Sequence, residues 1–217
     1  MIAPNGVIQG MASRESRRLW WSLFPALLGC MVFCSGCKAK AKGSSASANM
    51  PIADGQYLTY AVSLDSKGVH FDDSYKYDFT TADNAQWRIV GSRGNYNTGP
   101  NISYAIDRNE TILTQDGSEF AKWKIGRRFN DVWLAAEERQ AGKVIHPLDD
   151  LGDFTAGQET DWQKWRVIPA VDKGQTTTET LYFDAATGWL VGKELTSDDG
   201  SKRLDILSDT NIPALMH

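Results

Sequence analysis

Apolar residues recur at every second position along most of the chain after Gln56. Leu58, Tyr60, Val62 and Leu64 alternate with Thr59, Ala61 and Ser63, and Tyr75, Tyr77 and Phe79 alternate with Ser74, Lys76 and Asp78. A strand that buries one face repeats with period two, so each run predicts a half-buried β-strand. The same alternation marks Trp87 and Ile89, then Ile102, Tyr104 and Ile106, then Ala121, Trp123 and Ile125. Turn sequences separate them, among them Asp65-Ser-Lys-Gly68, Asn97-Thr-Gly-Pro100 and Asp116-Gly117.

The last third is the plainest. Residues 178–183, 189–195 and 202–207 read as three strands joined by Asp184-Ala-Ala-Thr-Gly188 and Ser197-Asp-Asp-Gly200, in which glycine supplies the positive φ of tight hairpins. One stretch reads as helical: Asp131 caps Val132-Trp-Leu-Ala-Ala-Glu-Glu-Arg-Gln140, and Gly142 follows its end. Residues 146–161 show no strand period and are expected to form a long loop or a short helical turn over one face of the sheet. The expected class is all-β with one short helix, an antiparallel meander occupying 51–217 as a single domain.

The chain begins differently. Arg14, Arg17 and Arg18 precede an uncharged apolar stretch from Leu19 to Gly36, and Cys37 follows Ser35 and Gly36. That order is an export signal. Lys38 to Asn49 contains no large apolar residue and reads as a flexible tether. The whole resembles a bacterial lipoprotein signal peptide: 1–36 would be removed, Cys37 lipidated, and 37–50 would tether the domain to a membrane. Leu27-Leu-Gly-Cys30 is a second candidate box, and an uncleaved anchor is a further alternative, since 18 residues just span a bilayer. Met11 offers a shorter start. Every version places the domain outside the cytoplasm on a membrane, and the resemblance implies a bacterial cell envelope, the outer membrane first. All three cysteines lie between Cys30 and Cys37, so residues 51–217 can hold neither a disulfide nor a cysteine-ligated metal.

Tyr182-Phe-Asp-Ala-Ala-Thr-Gly-Trp-Leu-Val191, Lys193-Glu-Leu195 and the Asp199-Gly200 turn resemble the final hairpins of the bacterial lipoprotein-carrier superfamily, and Asp54-Gly-Gln-Tyr-Leu-Thr-Tyr60 is similar to its opening. The resemblance implies a strongly curved sheet or half-barrel whose concave face holds acyl chains.

Charge and chemistry narrow the function. Residues 51–217 carry 17 basic and 26 acidic residues, a net charge of −9, which argues against nucleic acid as a partner. His70 stands near Asp72 and Asp73, and His146 near Asp149 and Asp150, but a histidine beside turn aspartates is ordinarily a solvated loop. No Gly-x-Ser-x-Gly, phosphate-binding glycine loop or His-Glu-x-x-His occurs. No catalysis, cofactor or metal is expected. Lys122-Trp-Lys-Ile-Gly-Arg-Arg-Phe129 is the one basic concentration and reads as a solvent face of a strand, with anionic lipid heads as the functional alternative. Tyr60, Tyr75, Tyr77, Phe79, Trp87, Tyr104 and Trp123 are the candidate lining of an apolar ligand site. The expectation is a membrane-anchored lipoprotein that binds a lipid, an acyl chain or another lipoprotein; the alternative is a non-enzymatic envelope adaptor in which the same residues form a solid core.

Overall fold

The computed structural model describes residues 49–82, 86–93, 102–116, 125–146 and 152–216. The chain divides into two units, 1–42 and 43–217, and every described residue belongs to the second. Twelve strands, all paired antiparallel, form one sheet: β1 (Gln56–Ser66), β2 (Val69–Ala82), β3 (Gln86–Arg93), β4 (Ile102–Ile106), β5 (Ile112–Asp116), β6 (Val144–Ile145), β7 (Phe154–Ala156), β8 (Thr160–Trp162), β9 (Trp165–Lys173), β10 (Thr177–Asp184), β11 (Leu190–Ser197) and β12 (Lys202–Thr210). Their order is β5-β4-β3-β2-β1-β12-β11-β10-β9-β7-β6, with β8 also on β9. The first and last long strands are thus central neighbours, with Tyr60 opposite Leu207 and Val62 opposite Asp205. Among the described residues β5 and β6 do not pair, so the sheet is not closed. The only helical element described is a single 3-10 turn, Pro213–Leu215.

The sheet curls, and one contact measures it. Neighbouring strands lie about 4.8 Å apart, so a flat sheet would hold β2 and the head of β11, three spacings away, about 14 Å apart. Phe79 on β2 and Trp189 before β11 nevertheless bring their ring centroids to 5.8 Å. Side chains on one face converge in this way only when that face is concave.

The segment after β5 lies across the concave side. At one end Ile112 N–H bonds to Arg127 O and Phe129 N–H to Glu110 O; at the other Leu134 N–H bonds to Gly188 O and Leu190 N–H to Val132 O. Phe129, Val132, Trp133, Leu134 and Ala135 are all buried. The sequence reading made 131–140 a helix, and that is corrected. A helix turns successive residues through about 100° and buries a stripe. Here four consecutive residues are buried, and an extended strap, bridged to Trp189 through Trp133, accommodates them. Gly188 suits this crossing, because a Cβ there would stand 2.2 Å from the Leu134 carbonyl oxygen.

Residues 146–161 are also corrected. They contain β7 and the start of β8, which extend the sheet beyond β9 instead of covering a face. The strand expected over 121–125 lies outside the described residues except for Ile125, which is in a turn. Within the expected basic strand face, Arg128 instead turns inward, with Nε 2.6 Å from Glu110 and Nη1 2.5 Å from Glu138.

Strand β9 was not foreseen. It contains Pro169, and residues from both its faces are buried, so it has no simple alternation. The carbonyl of Pro169 accepts the Gly157 N–H at 2.7 Å, so the proline nitrogen also faces that outer edge. It falls in the gap between β8, which ends opposite Trp165–Val167, and β7, which pairs with Ala170 and Val171.

Candidate functional site

Register places Tyr60, Tyr75, Tyr77, Phe79, Trp87 and Tyr104 on one face: Tyr60 pairs with Tyr75, Phe79 with Ile89, and Ile89 with Tyr104. Trp123 and Cys37 lie outside the described residues. The six described aromatics fall into three groups.

Phe79 and Tyr104 belong to the filled half of the concave face, against Trp189 and Phe129 respectively. Trp87 lies at that same end of the strands, half-buried. It lines a separate cleft of about 310 Å³ with Met50, Ile52, Ile106 and Glu110. Tyr60, Tyr75 and Tyr77 form a cluster towards the other end: Tyr60 stacks on Tyr75 at 4.9 Å, and Tyr77 meets both edge-on. Tyr60 is fully buried, whereas Tyr75 and Tyr77 are half-buried. Across from Tyr77 stands Gly91, where a Cβ would lie in ordinary contact with the ring, 3.5 Å from Cε1. Burial drives the Tyr60 hydroxyl far above the ordinary phenol range, and burial with Asp205 nearby does the same to Tyr75. The Tyr60 hydroxyl donates to the Leu190 carbonyl at 2.8 Å.

Beyond this cluster the β1–β2 hairpin continues, and its inner face is apolar at Val62 and Leu64 on β1, with Asp73 on β2 opposite Val62. Leu64 is half-buried, while Phe71 and Val69 are 42% and 50% exposed. Beside that row the same face turns ionic. Asp205, opposite Val62, is bound in a bidentate pair by Arg203 at 2.7 and 2.8 Å, and Lys193, opposite Asp205, pairs with Glu179. Asp205 and Glu179 are buried. These four residues were missed by the sequence reading. Their one signal is parity: each occupies an inward position of its strand.

The histidines stand elsewhere. His70 lies on the opposite face of the hairpin, its Nδ1 2.6 Å from Asp65 and its Nε2 3.1 Å from Asp72. The Asp65 hydrogen bond, with both charges, raises its pKa. His146 meets Asp153 at 2.7 Å, and Asp149 and Asp150 lie outside the described residues. Among the described residues no group of three or more metal-ligating side chains gathers, and no helix is long and apolar enough to cross a membrane.

These features define a curled antiparallel sheet with one filled half and one amphipathic half on its concave side. No protein-family model and no curated protein matches the chain. Among solved structures, a DUF1329 family protein from Desulfovibrio piger aligns over 77% of this chain and 89% of its own, at 10% identity and a TM-score of 0.28. A domain described as an outer membrane lipoprotein-sorting protein, from Vibrio parahaemolyticus, covers 76% and 87% at 10% identity and a TM-score of 0.28. PNGF-II aligns over 72% of this chain but 27% of its own, at 10% identity and a TM-score of 0.31.

Proposed function

We propose that this protein is a membrane-anchored extracytoplasmic lipoprotein of a bacterial envelope, lipidated at Cys37, whose curled sheet binds the apolar part of a lipid or of another lipoprotein without catalysis. The observation that carries the reading is the inner face of the β1–β2 hairpin. There the half-buried Tyr75–Tyr77 pair runs through Val62 and Leu64 on β1, past Asp73 on β2, into the exposed Phe71 and Val69. Apolar surface left contiguous and exposed on a folded protein ordinarily marks a binding site. On this reading the ligand lies against Tyr75, Tyr77, Leu64 and Phe71, since Phe79 packs on Trp189 and Tyr104 on Phe129.

The purified, detergent-free protein should take up a fluorescent fatty acid. Tyr77→Ala should weaken that binding while leaving the fold intact, and Cys37→Ser should abolish membrane anchoring.

The adaptor reading also has a specific support, since the strap packs half of the concave face solid around Phe129 and Trp189, both buried. A protein that binds no acyl probe, and in which Tyr77→Ala changes stability alone, would establish it.

A further inference from the structure

The concave face carries two ion pairs, and the members of each pair are unequally exposed. The side chains of Asp205 and Glu179 are 1% and 6% accessible, against 38% for Arg203 and 20% for Lys193. The acids therefore lie inward and the cations outward. Two further acids share this face. Asp73 Oδ1 accepts the Ser74 N–H at 2.8 Å, and Asp172 is backed by Gly152, where a Cβ would stand 2.6 Å from its Oδ2. Within each pair, therefore, the cation is the member that a ligand on this face can reach, even though 51–217 carries a net charge of −9. The guanidinium adjoins that row directly, because Arg203 pairs with Leu64 and Leu64 with Phe71. Nε and Nη2 of Arg203 serve Asp205, which leaves its Nη1 edge outside the pair.

Buried ion pairs are weak contributors to stability, because desolvation consumes most of their attraction. Their placement here is better explained by recognition. We propose that Arg203 and Lys193 select a ligand whose apolar chain ends in an anionic head, a carboxylate or a phosphate monoester. The chain would lie along Phe71, Leu64 and Tyr77, with the head at the two cations. The proposal rests on the ligand-binding reading above. The buried carboxylates hold the cations in place, so a head group gains charge-assisted hydrogen bonds without ordering long side chains.

Four probes with one chain length test it on the intact protein by competition with a fluorescent fatty acid: dodecanoate, dodecyl phosphate, dodecanol and dodecylamine. The two anions should bind about tenfold or more tighter than the alcohol, and the amine no better than the alcohol. Removing one partner would strand a buried charge, so the variants remove pairs: Arg203→Met with Asp205→Asn, and Lys193→Met with Glu179→Gln. Each should keep the affinity for dodecanol and lose most of the preference for the anions. Equal binding of all four probes by the unaltered protein, or a preference that survives in both paired variants, overturns the head-group assignment alone. Failure of every probe to bind the folded protein overturns the ligand-binding reading with it.

Discussion

The hydroxyl of Tyr60 donates a 2.8 Å hydrogen bond to the backbone carbonyl of Leu190, although β12 runs between their two strands. Strands two apart are separated by about 10 Å in a flat sheet, so this bond spans the inside of the curl. It fixes how far β11 leans over β1. Both residues are buried, and the bond has no competition from bulk solvent.

Tyr60→Phe keeps the ring and removes the bond, leaving the Leu190 carbonyl without its donor. An unsatisfied buried acceptor costs about 1–3 kcal/mol. Denaturant unfolding should show a loss in that range, with the curled sheet otherwise retained.

On the convex face, Trp162 stacks on Tyr182 at 4.1 Å and inserts its edge over Gly192, where a Cβ would stand 2.0 Å from Cη2. Gly192→Ala should displace the indole and cost about 1–3 kcal/mol as an overpacked site. In a Trp162→Ala background the same substitution should cost much less, and a double-mutant cycle reads the difference. Equal costs in both backgrounds would show that the indole is not the obstacle.

Arg128 joins two carboxylates, and Glu110 also accepts the Met50 N–H at 2.7 Å. Burial pushes the Glu110 carboxyl up against the opposing pull of Arg128. Arg128→Met strands the acid and should destabilise by about 3 kcal/mol, the scale of a broken buried pair. Adding Glu110→Gln should recover part of that loss, measured as a shift in unfolding midpoint. A raised carboxyl stabilises most when protonated, so the Glu110 contribution should be fully present below its unfolded pKa and fade as pH rises through the folded one.

His70 should titrate above the ordinary histidine value of 6.5, since the hydrogen bond to Asp65 favours its charged form. What stability it lends is present below the unfolded pKa and lost as pH rises through the raised folded value. An NMR titration of the ring protons should show the raised midpoint, and Asp65→Asn should lower it. The ring is exposed, so the effect on unfolding should be small.

Which half of each strand faces inward was legible where residues alternate apolar and polar, as in β1, β2 and β4, because a strand's side chains point to opposite faces in turn. The candidate aromatics followed from the same rule, and register did place the six described ones on one face. The rule gives no depth along the strand. It could not separate Phe79, packed under Trp189, from Tyr77 at the open end, nor set Trp87 beside its own cleft.

The period-two strands, the glycine turns that join β10 to β11 and β11 to β12, and the acidic balance of 51–217 are local properties of neighbouring residues and can be read from the chain alone. The rest depends on contacts between residues far apart in the chain. Val132–Gln140 has helix-forming residues, yet Val132–Ala135 run extended and 136–140 form turns, because burying Val132, Trp133, Leu134 and Ala135 together and bonding to Gly188 and Leu190 outweigh a propensity of a few tenths of a kcal/mol per residue. Charged residues on strands such as Glu179, Lys193, Arg203 and Asp205 read as solvent-facing by type. Parity puts them on the inner face and their partners stand on neighbouring strands or two places along the same strand, but the curl of the whole sheet is what buries Glu179 and Asp205.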